Sequence, residues 1–134
     1  MERKILYVNY FNDGPGENEF QMLAQLNSML EEIYAGVLDV PFDDPVELDA
    51  DIYKDFRIGL ITDDTTINLN NTTNGNGGII EVLIDGVGGY TVTLGTMFTK
   101  DLGGVEIDTT AGVDNFISWR KYGDDILYNI VQKK

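Results

Sequence analysis

From Ile52 onward the chain alternates apolar and polar residues with a period of two, the signature of half-buried strands. In "DFRIGLI" the alternation sets Phe56, Ile58 and Leu60 on one face, and in "TTINL" it sets Ile67 and Leu69. "IIEVLI" places Ile80, Val82 and Ile84 against Ile79, Glu81 and Leu83. "YTVTLG" opposes Tyr90, Val92 and Leu94 to Thr91 and Thr93. "VEI" at 105–107, "NFISWRKY" at 115–122 and "DILYNIV" at 125–131 continue the pattern. Turn clusters separate these runs: "NNTTNGNGG", "DGVGG" and "KYGDD". Short strands this closely spaced predict a mainly β fold, an antiparallel β-sandwich or jelly-roll-like barrel. "KYGDD" reads as its final hairpin turn, with Gly123 free to take positive φ.

The N-terminal third is patterned differently. "KILYVNYF" at 4–11 reads as a strand or extended arm, and "NDGPG" breaks it. Asn18 followed by Gln21 suggests a capping box, and the spacing predicts a helix over about 17–36 with Gly36 as its stop. Leu23, Leu26, Leu30, Ile33 and Val37 fall at heptad a/d spacing, flanked by Met22 and Met29. Two such repeats make either an amphipathic helix packed on its own domain or a short oligomerisation seam. The domain reading is therefore 1–48 for an arm, helix and acidic linker, and 49–134 for the β module.

Composition narrows the chemistry. At 134 residues with 43% hydrophobic residues the chain has the size of one domain and can bury a core. It has neither cysteine nor histidine, which removes thiolates, disulfides and imidazole bases and lowers the expectation of an enzyme. Net charge is −14, unfavourable for nucleic acid and for anionic membranes, so neither is expected as a partner. No run spans a bilayer, and the N-terminus lacks the apolar core of a signal peptide. The acidity is uneven: residues 1–64 hold 15 acids and 4 bases, residues 65–134 hold 8 and 5.

Residues 39–55 carry seven acids and one lysine with Pro41 and Pro45, which reads as a solvated linker. Asp49 and Asp51 suggest calcium, but the D-x-D-x-D-G-x5-E pattern is absent. Asp43–Asp44, Asp63–Asp64 and Asp124–Asp125 are adjacent acids in turns, where side chains point apart rather than across a catalytic cleft. The glycines Gly86, Gly88 and Gly89 in "DGVGGYTVTLG" raise the idea of a phosphate cradle. No lysine or helix follows them, so the stretch reads as a hairpin turn. Trp119, Tyr122 and Tyr128 are the candidate platform for a sugar ring, against the alternative that they fill the core.

The order "TTINL", "NGNGG", "DGVGGYTVTL", "TTAG" and a closing strand–"YGDD"–strand hairpin resembles a module at the ends of bacteriophage tail fibres and head fibres. The resemblance covers about residues 49–132. Leu127 stands where such modules usually have tryptophan, and "DLGG" stands in without proline for a Trp-Pro-Gly-Gly stretch. The resemblance implies a non-enzymatic virion structural protein, a homotrimer, with other virion proteins as partners and no cofactor. The N-terminal helix would then assemble or dock it. Recognition of a host-surface glycan at a fibre tip is the alternative.

Overall fold

The computed structural model describes Met22 and residues 36–133. The predicted arm, the predicted helix apart from Met22 and Gly36, and the seam positions Leu23, Leu26, Leu30 and Ile33 lie outside the described residues. Val37, the last seam position, is described and is not helical. It opens strand β1 (Val37–Val40) and is 55% exposed.

The β unit begins there. After β1 come β2 (Val46–Asp49), β3 (Asp55–Ile61), β4 (Thr65–Asn70), β5 (Gly77–Ile84) and β6 (Val92–Leu94). They are followed by β7 (Lys100–Asp101), β8 (Asp114–Tyr122) and β9 (Asp125–Lys133). One sheet is six-stranded in the order β1-β3-β5-β8-β9-β7, and the other is three-stranded in the order β2-β4-β6. Successive strands from β1 to β6 thus alternate between sheets, and each of β1 to β4 pairs in parallel with the strand two places on. The chain winds as a two-sheet, β-solenoid-like coil, closed by the antiparallel strands β8 and β9.

The mainly β expectation holds, but the antiparallel sandwich does not. Every pairing is parallel except β5–β8 and β8–β9. The "DGVGG" stretch is accordingly a corner rather than a hairpin: β6 pairs with β4, not with β5. The predicted final hairpin is present. Gly123, at φ +62°, and Asp124 join Tyr122 to its partner Asp125.

The coil is held by apolar ladders. In a parallel stack, equivalent inward positions lie directly above one another, so like side chains pack as columns. Phe56, Ile80, Ile117 and Ile130 form one column across four strands, each fully or almost fully buried. In the small sheet Val46, Ile67 and Leu94 form another. Val46, Leu48 and Ala50 are each 1% exposed or less, so the supposed acidic linker is the first turn of the coil. Its acids occupy outward positions and corners. The period-two reading of β3 fails at one place: a register shift between Ile58 and Ile61 turns Leu60 outward and brings Ile61 into the core.

Outside, polar ladders run beside the apolar ones. Glu47 accepts from Asn68 Nδ2 at 2.7 Å and Asn70 Nδ2 at 2.8 Å. Asp49 Oδ1 accepts from Asn71 Nδ2 at 3.0 Å and from the Asp51 amide at 2.9 Å. The side-chain amides of Asn68 and Asn71 lead in holding these two carboxyls below their ordinary range. On the large sheet Arg57 Nε meets Glu81 Oε1 at 2.9 Å, with Asp39 at 3.8 Å on the other side.

Candidate functional site

The corner at residues 85–89 is built on one carboxylate. Asp85 Oδ1 accepts from the amides of Val87 and Gly88, both at 2.9 Å, and Oδ2 accepts from the Tyr90 hydroxyl at 2.8 Å. The Gly88 amide bond is the largest cause of the lowered Asp85 carboxyl, and the same carboxylate raises the Tyr90 phenol. The corner also docks on the "TTAG" turn. Gly89 donates its amide to Thr109 O at 2.8 Å, and Gly112 donates to Asp85 O at 2.8 Å. Of the three glycines, Gly88 (φ +72°) and Gly89 (φ +86°) use positive φ, and Gly86 does not.

Asp85, Glu47 and Asp49 all have folded pKa values below their unfolded ones, so their stabilisation is complete above the ordinary carboxylate range of about 4. It is lost as pH falls through the lowered folded values. Thermal melts from pH 6 down to pH 2.5 should show a falling Tm below about pH 4, and Asp85→Asn should flatten that fall. An unchanged acid limb in Asp85→Asn would contradict this role.

The sequence-predicted aromatic platform is not assembled. Trp119 is 3% exposed, lies on the inner face of β8, and donates its indole N–H to Lys54 O at 3.2 Å. Tyr122 is on the opposite face of the same strand and 68% exposed. Tyr128, on β9 beside Trp119, is half-buried and makes an edge contact with Phe98 at a centroid distance of 5.5 Å. The adjacent acids are turn caps: Asp43 and Asp63 accept from the next residue's amide, Asp64 accepts from Thr91 N at 2.8 Å, and Asp125 accepts from Thr99 Oγ1. Among the described residues no three acidic, histidine or cysteine side chains converge on a point where a metal ion would sit.

One concavity stands out instead. The small sheet stops at β6, while the large sheet continues through β8, β9 and β7. Beside β6, on the side away from β4, a cleft of about 390 Å³ opens. It is lined by β6, by residues 105–107, by Tyr128 and Ile130 of β9, and by Asp101. Residues 105–107, expected as a strand, belong to no sheet. They are held by side chains: Gln132 Nε2 donates to Glu106 O at 2.9 Å, and Asn115 receives the Asp108 amide while donating to Asp108 O, both at 2.9 Å. Burial, with Asp101 beside it, pushes the Tyr128 phenol up.

Asn115 and Gln132 escape a search for chemistry-bearing residues. The available signal was a polar residue at an inward position of β8, in step with Ile117 and Trp119. Asn115 is fully buried. Asn115→Leu keeps the branched shape, though larger, and removes the Asn115 bonds to the Asp108 N–H and C=O, which should cost about 2–4 kcal/mol and loosen residues 105–108. Proteolysis and amide exchange across 103–109 check this; an unchanged exchange pattern contradicts it.

A smaller hollow of about 290 Å³ between Asp39, Pro41, Arg57 and Leu83 lies on the outer face of the large sheet, where Asp39 and Arg57 pair with each other. No helix among the described residues is long and apolar enough to cross a membrane. The class defined by fold and site is a two-sheet parallel β coil with a closing antiparallel hairpin and one cleft at the end of its smaller sheet. Comparison with protein-family models, curated proteins and solved structures returns no match.

Proposed function

We propose that this chain is a structural protein of a bacteriophage virion, a small trimeric fibre or decoration subunit. The coil is the displayed part, and the N-terminal segment assembles it and docks it to capsid or fibre proteins. One observation supports this reading above the others. "DGVGG" and "TTAG", two of the turns that carry the resemblance to fibre modules, form a single interlocked corner through the Gly89–Thr109 and Gly112–Asp85 hydrogen bonds. Their order in the sequence thus serves a common architectural purpose. The polar ladders of Glu47, Asn68 and Asn70 suit a surface that stays in water once assembled.

Size-exclusion chromatography with light scattering of the full chain tests the proposal. A particle of three times the 14.9 kDa chain mass at micromolar concentration is expected. A well-folded monomer at that concentration would exclude the trimer. Glycan recognition at a fibre tip gains nothing from Trp119, Tyr122 and Tyr128 as a set, because they do not share a face.

A further inference from the structure

The cleft beside β6 runs along a strand edge that is unpaired among the described residues. Thr91 O accepts from Thr65 N at 3.1 Å, and Gly95 N donates to Ile67 O at 2.8 Å, so these groups face β4. Backbone groups alternate sides along a strand, so the N–H and C=O groups of Val92 and Leu94 face the cleft. Among the described residues they have no backbone partner. Buried or recessed peptide groups are rarely left unpaired. Two donors and two acceptors at strand spacing fit another backbone far better than a sugar ring.

The charge of the lining fixes the partner's chemistry. Asp101 and Glu106 line the cleft, and among the described residues no lysine or arginine does. Tyr128 and Ile130 supply the apolar part of the lining. A strand laid along β6 would present alternate side chains to that surface, while a lysine or arginine would meet the two carboxylates.

We propose that the cleft is a strand-accepting site. It takes a short extended segment of a partner protein, with alternating apolar residues and at least one cationic side chain, as the fourth strand of the small sheet. Affinity comes from the Val92 and Leu94 backbone, and selectivity from Asp101 and Glu106. The recess bounded by residues 105–107 admits a short segment and shields the edge from long, flat strands, which limits aggregation. The inference rests on the assembly reading, in which this chain docks to other virion proteins.

The test is a ¹⁵N-NMR titration of the full chain with two acetylated hexapeptides, alternating lysine–valine and alternating glutamate–valine, and with maltohexaose. The lysine–valine peptide should shift the Val92 and Leu94 amides and bind roughly tenfold tighter than the glutamate peptide, in line with complementary charge. Leu94→Pro removes a cleft-facing donor and leaves the bonds to β4. It should weaken the peptide roughly tenfold, the effect of one interfacial hydrogen bond. A melting curve checks that it folds, and the exposed pair Asp101→Asn with Glu106→Gln gives a second variant, which should abolish the preference for lysine. Equal binding of both peptides, shifts elsewhere, or shifts at Tyr128 with maltohexaose alone would overturn the proposal. So would concentration-dependent shifts of Val92 and Leu94 without peptide, which would make a second copy the occupant. Light scattering on the same samples separates the two claims: a peptide-binding monomer refutes the trimer and keeps the cleft, and a trimer without peptide binding does the reverse.

Discussion

Gly88→Ala is expected to destabilise the β unit by roughly 2–5 kcal/mol, the sum of left-handed backbone strain and overpacking. Gly88 sits at φ +72°, where a Cβ is disfavoured. A Cβ there would also lie 2.4 Å from Ala111 N and 2.7 Å from Thr109 O. Both are backbone atoms of the turn that the corner docks on, so neither can swing aside as a flexible side chain would. The two neighbouring glycines are controls. Gly89, at φ +86° with nothing near its missing Cβ, should cost about 1 kcal/mol, the conformational term alone. Gly86 has neither constraint and should tolerate alanine. For a unit of this size each kcal/mol moves Tm by about 4–8 °C, so the three melts should separate clearly. Similar losses for Gly86→Ala and Gly88→Ala would contradict the corner geometry.

The second large effect is at Trp119. Truncation to alanine removes a side chain that is 3% exposed and packs on the inner face of β8. It also leaves Lys54 O without its indole donor. Loss of a buried Trp costs about 3–5 kcal/mol, a large share of a typical domain's total stability. The outcome should therefore be a lowered Tm or unfolding, read by circular dichroism. Trp119→Phe should recover most of the packing and forgo the hydrogen bond. Tyr122→Ala, on the exposed face, should leave stability within about 0.5 kcal/mol of the parent. If Trp119→Ala melted like the parent, Trp119 would have to be a surface residue, and the sugar-platform reading would return.

These two sites mark what the sequence made legible. Alternation identified which residues of β4, β5 and β6 face inward, because a period of two reports burial on one side of a pleat. Ile67, Leu69, Ile80, Val82 and Ile84 are all buried as that pattern implies. It is silent on which strand lies alongside. A corner into the opposite sheet and a hairpin within one sheet use the same glycines and the same polar residues. Residues 62–64 and 85–91 both carry the chain from one sheet to the other. The length of the second was a clue, since hairpin loops are usually of two to five residues.

The first turn of the coil was hidden by its own corners. Seven acids and two prolines within residues 39–55 outweighed the short alternation "VELD", in which Val46 and Leu48 are buried and Glu47 and Asp49 point outward. The cleft was illegible for a different reason. It arises because one sheet has fewer strands than the other, a property of topology rather than of any residue. Its lining comes from four separate stretches of sequence.

The corner and the cleft both depend on β6 pairing with β4. Solution NMR of the uniformly labelled chain reads that pairing directly through interstrand contacts at the backbone. Parallel pairing predicts contacts joining Thr65 to Val92 and Ile67 to Leu94, with Gly95 N–H protected by Ile67 O. Contacts joining Ile84 and Leu83 to Tyr90–Val92 across a closed hairpin, with Thr65–Val92 contacts missing, would contradict the coil and remove the strand-accepting edge with it.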